Sequence, residues 1–285
     1  MRAWVKIFCT GLGLWVAAVV VTAVTSNPNL VPTVVLLGSF LVPVTFVAWA
    51  YGRGHAAGVT VELLFQSFIV GGVLGVLGAS LLEGWLLRPS VWVYLGVGFI
   101  EEGVKLAALM FVARRMTRRT GRDGLVLGAT VGFGFAAFES AGYAFNALFA
   151  GDGLSLSQLV ETEVLRGLLA PVGHGLWTAI VGGVLFGRGF RISGAVLGAY
   201  AGVAVLHALW DSMSAIAIAI TLVLTGRPWQ FQALRLGQVP EVTTAQVHLY
   251  TVLNWAGLLL VSLVALAWLL DVSRRVRYGP PRGLA

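Results

Sequence analysis

Eight runs of about twenty apolar residues set the terms for this chain: 7–25, 30–51, 62–87, 91–113, 124–149, 169–187, 193–224 and 248–271. A run of that length matches the roughly 30 Å hydrocarbon core of a bilayer. Inside hydrocarbon the backbone has no water to bond, and a helix satisfies it internally. The pattern predicts an all-α, polytopic membrane protein with about eight transmembrane helices, in one transmembrane domain over 1–285. Composition agrees, because 58% of the 285 residues are hydrophobic and only 11% are charged, against about 25% charged in soluble domains. The single cysteine, Cys9, lies in the first run, which excludes a disulfide framework and a cysteine-based zinc site.

The net charge of +7 does not point to nucleic acid, since the basic residues lie between the runs and not along an exposed face. Fourteen of the nineteen fall on alternate connectors: Arg2, Lys6, Arg53, Arg114, Arg115, Arg118, Arg119, Arg122, Arg188, Arg191, Arg274, Arg275, Arg277 and Arg282. The positive-inside rule then puts both termini in the cytoplasm. The first run has a basic start, like a signal peptide, but "AVTSNPN" holds no clear A-x-A site, so the run is expected to be retained. Three N-terminal spans occupy 1–89, and the fourth to seventh spans form a core over 90–224. An outer loop over 225–247, with Pro228, Trp229 and Pro240, precedes the last span and a basic tail over 248–285. The stretch 154–168 reads as an interfacial amphipathic helix on the outer side.

Two glycine ladders, "GLVLGATVG" at 124–132 and "GAVLGAYAG" at 194–202, place glycine at every fourth position on one helix face. Such a face lets helix backbones approach closely in lipid. Each ladder leads within two turns to an ionisable residue, Glu139 after the first and His207 after the second.

Seven ionisable residues stand well inside the spans: Glu101, Glu102, Lys105, Glu139, His174, His207 and Asp211. A charge at the bilayer centre costs at least about 2.5–3.5 kcal/mol and usually marks a function. Helical rise puts Glu101 and His174 roughly 20 Å from the cytoplasmic arginines, with Glu139 and His207 at a similar depth. Four spans thus share one polar layer, nearer the outer face. With neutral histidines, four carboxylates against Lys105 leave three negative charges, which a low-dielectric interior does not tolerate unneutralised. Retained protons would equip the carboxyls for general acid–base work. A bound divalent metal would use His174, His207 and a carboxylate, the three-ligand arrangement of a catalytic zinc site. Asp211, four residues after His207, is placed to hold that imidazole in one tautomer. Lys105 can reach both glutamates and is expected to satisfy one of them.

In chain order the sequence reads "EEGVK" (Glu101, Glu102, Lys105), "FAAFE" (Phe135 to Glu139), "LRGLLAPVGHGLW" (Arg166, His174, Trp177) and "HALWD" (His207, Asp211). These blocks resemble the PrsW family of intramembrane proteases, which is related to the CAAX-prenyl and bacteriocin-processing proteases. The resemblance covers about residues 90–215. It implies a membrane-embedded endopeptidase of the bacterial plasma membrane that makes a first, site-1-type cut near the outer face of single-span proteins similar to anti-sigma factors. By that resemblance and the chemistry, Glu101 or Glu102 activates water and the other pairs with Lys105. His174 and His207 polarise the water or ligate a metal, tentatively zinc, with Glu139 sharing the proton or the metal. Asp211 orients His207, and Arg166 anchors the outer helix or gates entry. Phe135, Trp177 and Trp210 are read as packing, and Glu62, Glu83, His55 and His248 as near-interface groups.

Two other classes use similar residues. A proton- or ion-coupled transporter needs buried carboxylates, but also inverted repeats, whereas the two ladders run in the same direction. A non-catalytic scaffold for other membrane proteins has no use for the uncompensated charge. Membrane lipid and single-span substrate proteins are the expected partners.

Overall fold

The computed structural model describes residues 2–52, 58–150 and 154–278; Arg53, His55 and Arg282 lie outside them. Among the described residues all regular structure is helical. The helices are α1 (Ala3–Thr25), α2 (Val31–Gly52), α3 (Val61–Ile69), α4 (Gly75–Leu86), α5 (Val93–Ala113), α6 (Gly121–Ala147), α7 (Leu156–Leu169), α8 (His174–Gly187), α9 (Gly194–Thr225), α10 (Pro228–Arg235) and α11 (Thr244–Tyr278). A π-helical turn, Val70–Leu74, joins α3 to α4. Among the described residues seven helical segments are long and apolar enough to cross a membrane: α1, α2, α3–α4, α6, α7–α8, α9 and α11. α5 has bilayer length too, at 21 residues, and differs in carrying Glu101, Glu102 and Lys105. The chain is an all-α polytopic membrane protein.

The stretch expected as a separate interfacial helix behaves differently. α7 runs through a 3₁₀ turn, Ala170–Val172, into α8, and the two together have the length and hydropathy of one span. α8 alone has 14 residues, about 21 Å of helix, so it is too short to cross alone. Pro171 and Gly173, whose φ of −105° and ψ of −131° are non-helical, break the helix immediately before His174. The apolar face of α7 meets protein, because α7 packs against α2 and α6 and buries Leu159 and Glu163.

α6 is the central helix. A capping box starts it, with the Thr120 hydroxyl accepting from Asp123 N–H and the Asp123 carboxylate accepting from Thr120 N–H. Its glycine ladder lies on α8: a Cβ at Gly124, Gly128 or Gly132 would strike the carbonyl oxygens of Gly182, Thr178 and His174. These two backbones are therefore in contact, and α8 can present His174 directly beside α6. The second ladder is not used in this way. Gly194 and Gly198 meet nothing within 4 Å, and only Gly202 is covered, by Trp268 of α11. The close approach of α9 occurs elsewhere, where Gly98 of α5 lies against the carbonyl oxygen of Ala204. That contact is one turn from both Glu102 and His207.

The two ladders therefore respond differently to one added methyl. Gly128→Ala is expected to destabilise the protein by about 1–3 kcal/mol, the usual cost of overpacking, while Gly198→Ala stays within about 0.5 kcal/mol of wild type. Thermal unfolding in detergent measures both.

Candidate active site

The polar layer closes into one cluster. α5 contributes Glu101, Glu102 and Lys105 from one face, all buried. Lys105 is fully enclosed, and its Nζ donates to Glu101 Oε2 at 3.1 Å, Glu102 Oε1 at 2.8 Å and His174 Nδ1 at 2.8 Å. The ring of Phe135 lies beneath the ammonium, 4.1 Å from its centroid. An ammonium can only donate, so His174 Nδ1 accepts and the ring proton is on Nε2. Nε2 faces Glu139 Oε2 at 3.0 Å. Arg166 of α7 reaches the same oxygen at 2.5 Å and donates from Nε to Ser140 Oγ at 2.8 Å.

His207 of α9 is equally constrained. Nδ1 lies 3.1 Å from Glu102 Oε1, and Nε2 lies 3.2 Å from Asp211 Oδ2 and 3.7 Å from Glu101 Oε2. The two imidazole centroids are 4.9 Å apart. Trp177 covers the far side, with its ring 4.7 Å from His207 and 5.4 Å from His174. Glu102 and His207 are almost without solvent contact, at 1% side-chain exposure each, whereas Glu139 and Asp211 are 20% and 28% exposed. The cluster thus has a closed end at Glu102 and an open end at Glu139, Arg166 and Asp211.

This geometry revises two expectations. Lys105 serves both glutamates and not one, because its three N–H bonds diverge toward Glu101, Glu102 and His174. The carboxylate grouped with the two histidines is that of Glu101, not Glu139: Glu101, His174 and His207 each offer one ligand atom, all within 4.8 Å of one another. Glu139 lies behind the His174 ring, on the opposite nitrogen. Asp211 meets His207 as expected, on Nε2, and Glu102 holds the other nitrogen. Phe135 and Trp177 pack on the cluster as its floor and wall.

Arg166 joins the cluster across 27 residues of sequence, so the balance improves. Four carboxylates now face Lys105 and Arg166, which leaves two negative charges with neutral histidines. Glu83, near the end of α4, also bears on the cluster. It is an electrostatic neighbour of Glu139, His207, Lys105 and Asp211, and its Oε1 is buried with no hydrogen-bond partner among the described residues.

The donor set suits a divalent metal. Two imidazoles and a carboxylate are the usual three protein ligands of a catalytic zinc site. Each ring also has a carboxylate on its outward nitrogen, Glu139 for His174 and Glu102 for His207, the second contact that orients metal-binding histidines. The excess of carboxylates over cations in the cluster favours such an ion.

Comparison with known proteins gives two matches. The family model described as PrsW family intramembrane metalloprotease matches residues 42–236. The protein named Protease PrsW from Halalkalibacterium halodurans is 26% identical over 154 residues, covering 52% of this chain. The chain spans 66% of that relative's length. No solved structure matches the chain.

Removing the lysine tests how the cluster is held. Lys105→Met leaves two buried carboxylates without their cation, and is expected to cost about 3–5 kcal/mol of stability. Adding Glu102→Gln should restore part of it, and unfolding midpoints of the single and double variants measure both effects.

Proposed function

Because the chain belongs to the PrsW family of intramembrane metalloproteases, we propose that this cluster hydrolyses a peptide bond in membrane-anchored proteins. The observation that carries the reading is the meeting of Glu101, His174 and His207, from three different helices, with ligand atoms inside 4.8 Å. Glu101 Oε2 faces both rings, and no hydrogen bond reaches Oε1 among the described residues. Glu101 therefore takes the proton of the attacking water. The water oxygen bonds to the carbonyl carbon, the C–N bond breaks, and the proton passes to the leaving amine. The products are a carboxylic acid and an amine.

The other residues hold this geometry. Glu102 is closed in by Lys105 and His207, so its work is to fix the imidazole and not to meet water. Glu139, gripped by Arg166, does the same for His174. A divalent metal would be held by Glu101, His174 and His207, and when bound it would polarise the carbonyl and acidify water. Zinc is the simplest candidate for that donor set. It would take the His174 Nδ1 lone pair from Lys105, which keeps both glutamates.

The alternation of basic connectors supports a site nearer the outer face of a bacterial plasma membrane, with both termini in the cytoplasm. Single-span proteins cut near that face, in the manner of site-1 cleavage of anti-sigma factors, are the proposed substrates. Purified protein in liposomes with a single-span probe tests the reading. Glu101→Gln is expected to lower the cleavage rate about 100-fold or more, while Arg115→Gln, outside the cluster, leaves it unchanged. Cleavage by Glu101→Gln at the wild-type rate would remove Glu101 from the mechanism.

A further inference from the structure

We propose that Glu163 and Trp15 are positioning residues for this site, docking α7 so that Arg166 reaches Glu139; the inference rests on the hydrolytic reading above. Glu163 lies in α7, three residues before Arg166, and is 4% exposed. Its carboxylate accepts a 2.8 Å hydrogen bond from Trp15 Nε1 of α1, 148 residues away. It occupies the space over Gly38 of α2, where a Cβ would overlap the carboxylate carbon and both oxygens. One side chain thus ties α7 to two other helices.

A buried carboxylate is an expensive means of packing helices, since an apolar side chain of similar size avoids its desolvation. Its position explains what it does. The helix break at Ala170–Gly173 uncouples the axis of α7 from that of α8, so side-chain contacts must set how α7 lies. Two of them are polar and directional. Glu163 fixes one side of α7 to α1 and α2, and Arg166 binds Glu139 and Ser140 of α6. At about 1.5 Å per residue the two anchors are less than one turn apart, so a shift that frees Glu163 also moves Arg166. Glu139 would then lose its guanidinium, and His174 would lose a firmly held partner on Nε2. α1 is otherwise a peripheral helix with only Thr22 buried, and this contact gives it a route to the active site.

The test pairs a docking reporter with cleavage. Gly167 of α7 faces Val42 of α2, 3.7 Å from Cγ2 to where its Cβ would lie. In a Cys9→Ser background, thiol crosslinking of Val42→Cys with Gly167→Cys reports docking whether or not the protein cleaves. Glu163→Leu is expected to slow crosslinking and to lower kcat at least tenfold with KM within threefold. Glu163→Gln still accepts from Trp15 and should retain both within threefold. Trp15→Phe should follow Glu163→Leu, and decides the matter if that variant does not fold. Wild-type crosslinking and cleavage in Glu163→Leu or Trp15→Phe would overturn the proposal, as would equal losses in Glu163→Gln and Glu163→Leu. If wild type cleaves no probe, the hydrolytic reading falls, while the crosslinking comparison still upholds or overturns the docking.

Discussion

The buried polar cluster of α5, α6, α8 and α9 is arranged around one ammonium group that water does not reach. Lys105 holds Glu101, Glu102 and His174 at once, and each of these leads to another helix. Glu102 passes the connection to His207 on α9, and His174 passes it through Glu139 to Arg166 on α7. A charge buried this deeply is tolerated only when its partners satisfy it. The same contacts that neutralise Lys105 therefore define where α5, α6, α8 and α9 stand.

Those contacts need helices closer together than ordinary side chains allow. The ladder of α6 brings its backbone against the carbonyls of α8, and its last step, Gly132, lies against His174 itself. Gly98 does the same between α5 and α9, one turn from the glutamates. Packing and chemistry are thus coupled: the small residues that close the helix pairs are the ones next to the groups that meet. The break before His174 adds a further freedom, because it lets α7 approach from another direction with Arg166.

The fold class and the membership of the cluster were legible in the sequence because both follow from one dimension. Run length reports bilayer thickness, and counting residues from a basic boundary reports depth, so Glu101, Glu139, His174 and His207 could be placed in one layer. Rotation about each helix axis could not be read that way. Hence Glu139 was grouped with the histidines on their inner side when it lies on the outer nitrogen of His174. The hold of Glu102 on the other nitrogen of His207, beside the expected contact with Asp211, could not be read either, and Lys105 was expected to satisfy one glutamate where it serves both. The run of α7 into α8 was missed because Arg166, Glu161 and Glu163 make α7 amphipathic, a pattern that a surface helix and a helix packed on protein share. Glu163 itself carried no motif, and only the contact with Trp15 and Gly38 shows its place.

The account stands on Glu101, His174 and His207 forming one inward-facing donor set, with Glu139 behind it. Titration of the purified protein with zinc measures this directly. One ion per chain is expected in wild type and none in Glu101→Gln or in a His174→Ala, His207→Ala double variant. Glu139→Gln should keep the stoichiometry and weaken affinity about 10–100-fold, the usual effect of losing an orienting partner. Stoichiometric binding that survives Glu101→Gln and is abolished by Glu139→Gln would contradict it.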